Sequence, residues 1–171
     1  MSENSIFGIA LNKAMTLCSR QELCSEDIRN KLLKWGIVNN DIEKIITILI
    51  KENFISESRY ATAFVRYKFN YNKWGKVKIA AHLRVKKLPP DIIRAALDSI
   101  DIEQYTKMLN DLINDHRRSV KAKNQYDLKA KLLRYGLSKG FESSLLYDML
   151  NDLEEWPTPR KRYSLKMARK R

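Results

Sequence analysis

Between Ser58 and Pro90 the chain carries nine cations, Arg59, Arg66, Lys68, Lys73, Lys76, Lys78, Arg84, Lys86 and Lys87, and no carboxylate. Guanidinium and ammonium groups with no local acid to neutralise them attract a polyanion, either a phosphate backbone or an acidic protein face. A second run lies between Trp156 and Arg171, where Arg160, Lys161, Arg162, Lys166, Arg169, Lys170 and Arg171 again meet no acid. The formal net charge is +13, so the two runs exceed the total and the rest of the chain is slightly acidic. The flanking segments do without such charge, which makes recognition a better explanation than solubility.

Chemistry beyond binding lacks its residues. None of the five glycines stands in a phosphate-cradling pattern, so nucleotide binding is not expected. The paired carboxylates Glu26-Asp27, Asp98/Asp101 and Glu154-Glu155 fall at helix termini, where acids cap helices or stay solvated. No spacing ties Ser, His and Asp into a triad, and His82 sits among lysines as a solvated histidine. Cys18 and Cys24, far in sequence from His82 and His116, give no zinc signature and read as two buried free thiols in a reducing compartment. The expected protein has no catalytic centre, cofactor or metal. The N-terminus shows no basic start followed by an apolar run, and the most apolar segment, Ile42 to Ile50, is broken by Glu43, Lys44 and Thr47. A cytoplasmic protein with no membrane association is expected.

The elements that must hold the cations come from an internal repeat. Ile28 to Ile37, Ile79 to Leu88 and Leu128 to Leu137 keep an apolar residue, a central leucine four positions later (Leu32, Leu83, Leu132), a helix stop or its equivalent (Gly36, Lys87, Gly136) and a further apolar residue. Leu49, Ile100 and Met149 follow each central leucine at one common distance. Fixed offsets describe one supersecondary unit used three times. Helical periodicity dominates and no hairpin signal joins alternating runs, so the fold is predicted to be all-α. It reads as three tandem three-helix modules, 1–54, 55–100 and 101–155, forming an elongated, curved helical-repeat array, with a loosely held basic tail at 156–171. A monomer is expected.

Within the modules, Ser25 and then Asn39 or Asn40 are the expected N-caps of the second and third helices, with Gly36 closing the second. Ser56 is expected to cap a fourth helix bearing Tyr60, Phe64, Tyr67 and Tyr71 at helical spacing. That aromatic stripe reads as core rather than as a base-stacking platform. Trp74-Gly75 breaks the helix, Lys76 to Lys86 forms the next, and Pro89-Pro90-Asp91 opens the sixth. The third module is predicted as Ile102 to Val120, Asn124 to Tyr135 and Phe141 to Leu153.

With these residues in place, the chain resembles the RecX family of recombination regulators. Ile55-Ser56-Glu57-Ser58-Arg59-Tyr60-Ala61 looks like that family's apolar residue, acidic turn and Arg-aromatic-Ala, and Phe64-Val65 follows at the matching distance. Lys73-Trp74-Gly75-Lys76 is similar to its basic glycine-containing loop. The family often has adjacent aspartates where this chain has Glu57 between serines, and Lys86-Lys87-Leu88-Pro89-Pro90 replaces a Lys-Gly-Ile turn. The resemblance implies a protein that lodges in the groove of RecA filaments on single-stranded DNA, restrains the recombinase, and makes weak, non-specific contacts with single- or double-stranded DNA. The rival reading is a helix-turn-helix nucleic-acid binder not directed at RecA. It ranks lower because the third helices of the modules are apolar or acidic, whereas a major-groove reader needs exposed Arg, Asn or Gln.

Overall fold

The computed structural model describes residues 5–151. These form nine α-helices: α1 (Ile6–Cys18), α2 (Ser25–Lys34), α3 (Asn39–Lys51), α4 (Glu57–Asn70), α5 (Lys76–Val85), α6 (Pro90–Asp98), α7 (Ile102–Ser119), α8 (Gln125–Lys139) and α9 (Ser143–Asn151). They group as three consecutive sets of three, and no strand occurs among the described residues. No described helix is long and apolar enough to cross a membrane.

Each set closes around its repeated positions. Leu32, Leu83 and Leu132 are fully buried, as the periodicity requires. In the first set α3 packs on α1 and α2, in the second α6 packs on α4 and α5, and in the third α8 packs on α7 and α9. The middle helix of each set ends in a left-handed residue, Gly36 (φ 76°), Lys87 (φ 59°) and Gly140 (φ 87°). Immediately after it the N–H of Ile37, Leu88 or Phe141 returns to the carbonyl of Leu32, Leu83 or Gly136. This is the six-to-one closure of a Schellman turn, which satisfies one orphan carbonyl and drives an apolar side chain back into the core.

The closure corrects the third repeat. Gly136 is not a helix stop: α8 runs through it to Lys139 and Gly140 ends the helix one turn later. Phe141, buried, takes the place of Ile37 and Leu88, whereas Leu137 is exposed. Gly136 is glycine for another reason, because a Cβ there would meet Leu146 Cδ2 of α9 at 2.3 Å. Two predicted caps also shift. Cys24 and Val38, not Ser25 and either Asn39 or Asn40, hold the N-cap positions of α2 and α3, neither with a side-chain cap bond. Ser56 caps α4 as expected, its Oγ accepting from Arg59 N.

Two apolar cores result. One is built from the first set and Ile55. The other runs without interruption through α4 to α9 and takes in Cys24. The second and third sets therefore share one interior, and the first has its own.

Candidate protein and nucleic-acid interface

The nine cations of the second set fall into three environments. Arg59, Lys86 and Lys87 face the first set and are paired there. Arg59 Nε donates to Glu22 Oε1 at 2.9 Å, and its two terminal nitrogens donate to Asn53 Oδ1 and to the Asn53 carbonyl. Lys86 Nζ donates to Asp27 Oδ1 at 2.5 Å, and Lys87 Nζ lies 3.0 Å from Glu26 Oε1. The partial charge at the α2 N-terminus explains why acids gather there. Glu57 adds to them from α4, accepting from Ser25 N at 2.9 Å.

Burial governs the titration of this junction. It pushes the Cys24 thiol up to about 12, with Asp27 and Glu57 adding to the effect against a lowering backbone bond. Burial also raises Asp27, but the hydrogen bonds from Lys86 and Cys24 outweigh it and hold the carboxyl below its ordinary range. The same bond from Asp27 raises Lys86 against its partial burial. Tyr60, desolvated beside Asp27 and Cys24, stays a neutral phenol far into the alkaline range. Both cysteines are free thiols.

Lys76 and Lys78 face the third set. Lys76 N donates to the Tyr105 hydroxyl at 3.0 Å, which itself donates to Glu142 Oε2 at 2.6 Å, and the Lys76 ammonium lies 5.1 Å from the Tyr105 ring. Lys78 Nζ donates to the Ser138 carbonyl at 3.1 Å. Around them the C-terminus of α8 meets the N-terminus of α5 directly: Gly75 N and Val77 N donate to the carbonyls of Lys139 and Gly140. Orphan acceptors of one helix end thus satisfy orphan donors of another, with the two dipoles aligned.

Arg66, Lys68, Lys73 and Arg84 remain. None forms an ion pair with a described residue. Arg66 and Lys73 edge the clefts between α4 and α7, Arg66 beside Asp101 and Lys73 beside Asp111 and Asp115. Lys68 sits among rings, 5.3 Å from Phe64, 5.4 Å from Tyr67 and 4.7 Å from Trp74. Arg160, Lys161 and Arg162 lie outside the described residues, as does the rest of the basic tail.

The aromatic stripe divides. Tyr60 is core and Phe64 is half-buried, but Tyr67 and Tyr71 are 55% and 76% exposed. The buried face of α4 is Tyr60, Ala61, Val65 and Phe69. The expectation that all four rings are core is corrected for the last two, because Phe69 rather than Tyr67 or Tyr71 carries the inward face toward Tyr105. His82 is exposed but not isolated, its ring centroid 4.6 Å from that of Trp74.

Among the described residues no group of three or more His, Cys, Asp or Glu side chains could hold a metal ion. The open clefts against α7 are lined by amide, carboxylate and apolar groups, with Lys73 and Lys107 at one of them.

Known proteins match this arrangement. Residues 56–97 match the family model for the second three-helix domain of RecX, the segment that carries the cations and rings. The regulatory protein RecX of Haemophilus ducreyi is 27% identical over 146 residues, covering 85% of this chain and 93% of that protein. That of Clostridium acetobutylicum is 28% identical, covering 84% of this chain and 68% of its own. The crystal structure of a regulatory protein RecX superposes with a TM-score of 0.78 at 25% identity, covering 86% of this chain and 72% of that one. Over most of its length the chain is thus similar to RecX proteins in sequence and fold. RecX from Lactobacillus salivarius shares the fold, with a TM-score of 0.74 at 23% identity and coverage of 86% and 96%. The relatives are named as regulatory proteins and not for a reaction.

Proposed function

We propose that this protein, like the RecX proteins it resembles, is a regulator and that it binds RecA filaments on single-stranded DNA and restrains recombinase activity. The cations of α4 and α5 that remain unpaired serve as the contact. The observation that carries this reading is the division of labour within one acid-free run. Arg59, Lys86 and Lys87 are consumed in positioning the second module against the first, and the Lys78 ammonium with the Lys76 backbone N–H in positioning it against the third, where the Lys76 ammonium lies over the Tyr105 ring. Arg66, Lys73 and Arg84 are left exposed, and Lys68 half-buried among rings, on a frame held from both sides. Such a frame presents charge with little entropy left to lose on binding, and it suits a groove in which acidic protein and phosphate lie together. The module boundaries at 55 and 100 belong to the same reading, and the tail cations Arg160, Lys161 and Arg162 extend the DNA contact.

The experiment is inhibition of RecA-driven ATP hydrolysis and strand exchange by the purified full chain, compared with the triple reversal Arg66→Glu, Lys73→Glu and Arg84→Glu. Inhibition by the natural chain and its loss in a variant of unchanged helicity is the expected result. Equal inhibition by both would move the contact elsewhere, and no effect of the natural chain on its cognate recombinase would refute the reading.

A further inference from the structure

The outward surface where α4 meets α5 has more than charge. Tyr67 on the last turn of α4 and Tyr71 at its C-cap place their ring centroids 5.3 Å from each other and stand exposed. The Lys68 ammonium lies between the rings of Tyr67, Phe64 and Trp74, and the Lys78 ammonium covers the Trp74 ring from α5 at 4.7 Å. Trp74 continues into His82 at 4.6 Å. Rings and ammonium groups therefore alternate along one strip, and the run that supplies them, Ser58 to Pro90, holds no acid.

Each feature narrows the occupant. Exposed tyrosines cost solvation and contribute nothing to the core, since Tyr60, Ala61, Val65 and Phe69 already fill the inward face of α4. Ammonium groups between aromatic faces match a polymer that alternates anionic phosphate with flat π-surfaces. An acidic protein face would satisfy the lysines but leave the rings without partners. Duplex DNA would offer phosphates, but its bases are stacked within the helix and their faces are closed to side chains. Single-stranded DNA offers both groups.

We infer that the strip of Tyr67, Tyr71, Trp74 and His82, with Lys68 and Lys78 between the rings, is a base-stacking site for single-stranded DNA. The inference rests on the DNA-contact part of the function proposed above and assigns it to named residues. Tyr67 and Tyr71 stack on bases and Lys68 meets the phosphates between them, while Lys78, tied to the Ser138 carbonyl, holds Trp74 in the strip. Recognition is indifferent to sequence, because every base has a π-face.

The test compares an oligothymidine with an abasic oligomer of equal length, which keeps every phosphate and lacks every base. Binding is read by fluorescence anisotropy of labelled strands with the full chain. The natural protein binds the thymidine strand more tightly by about 5- to 150-fold for each base stacked. The double variant Tyr67→Ala, Tyr71→Ala loses that preference and keeps its affinity for the abasic strand, whereas Tyr67→Phe, Tyr71→Phe retains it. Circular dichroism guards against misfolding, and the exposure of both positions makes the double variant a mild one. Equal affinity of the natural chain for the two strands overturns the inference and marks the strip as electrostatic or protein-directed, as does a preference that survives the alanine variant. The filament assay is read separately. A chain that restrains the recombinase yet shows no base preference loses this inference alone, and one with the preference but no effect on the recombinase loses only the function proposed above.

Discussion

The second module is joined to its two neighbours in different ways. Toward the first module the contacts are mainly ionic and only partly buried, Glu22 with Arg59, Asp27 with Lys86, Glu26 with Lys87 and the Glu57 carboxylate on Ser25 N, with Ile55 and Cys24 alone crossing into the neighbouring core. Toward the third they are apolar and backbone-to-backbone. Phe69, Tyr105 and Phe141 form a run of rings at 6.0 and 5.3 Å, and Gly75 lies against Gly140 so closely that a Cβ on the former would fall 2.2 Å from the latter's oxygen. Exposed ion pairs contribute little and weaken with salt, whereas a shared core is lost only when both partners unfold. The chain is thus physically two bodies in tandem, one of three helices and one of six. Covalent repetition into three has not produced three equal interfaces.

The largest expected effect comes from prying open the apolar seam. Gly140→Ala forces a side chain into a left-handed backbone at φ 87° and against Lys78 Cβ at 2.1 Å. Left-handed strain of ~1–2 kcal/mol and overpacking of ~1–3 kcal/mol together predict ~2–5 kcal/mol, read from the urea midpoint. The six helices should lose stability as one transition. An unchanged midpoint would mean the seam yields and the comparison fails.

A smaller loss of ~1–3 kcal/mol is expected for Tyr105→Phe, which leaves the Lys76 N–H without its acceptor and Glu142 without its donor. Burial, followed by the Glu142 bond, raises the Tyr105 pKa. Stability from the neutral phenol is therefore present below its unfolded value of ~10 and declines as pH rises past it. The variant should lose that alkaline decline, a readout that mere loss of packing would not give.

On the ionic side, Arg59→Ala removes one ion pair and two hydrogen bonds from a side chain 40% exposed. Solvent screening holds the loss to ~1 kcal/mol. It should fall on the first junction alone, seen as faster hydrogen exchange in α2 and the start of α4 with α7 to α9 unchanged. Uniform acceleration would show that the two bodies unfold together.

The sequence made the helices and their buried leucines legible because a 3.6-residue period is a local signal, and Leu32, Leu83 and Leu132 each report on neighbours within a turn or two. It misplaced the end of α8 because glycine has two uses. At Gly140 it supplies a positive φ, at Gly136 it admits Leu146, and only the first stops a helix. It could not tell which cations were spoken for, since Lys86 meets Asp27 across 59 positions and Arg59 meets Glu22 across 37. Tyr67 and Tyr71 went astray for a related reason. Four rings at helical spacing resemble a core stripe until Phe69, on the adjacent face, is seen to hold the inward position. The resemblance at Ile55 to Val65 located the right segment, but Arg59 within it is a clamp to the first module.

The smallest effect, and the one that separates the junctions most cleanly, is acid. Asp27 is held below its ordinary pKa by Lys86 and Cys24 in spite of its burial. A depressed carboxyl contributes stability that is present above its unfolded value near ~4 and is lost as pH falls through the folded value. Lowering the pH from 6 to 3 should therefore loosen α2 against α5 while the backbone bonds of the seam, from Gly75 and Val77 to the carbonyls of Lys139 and Gly140, hold no titrating group and are unaffected. Hydrogen-exchange protection corrected for intrinsic rate should drop at the start of α2 and the end of α5 and hold at the start of α5 and the end of α8. Asp27→Asn should remove most of this acid sensitivity, leaving that region equally loose at both pH values. Equal loss of protection at both junctions would mean that Asp27 is not what joins the first module to the second, and would break the contrast between them.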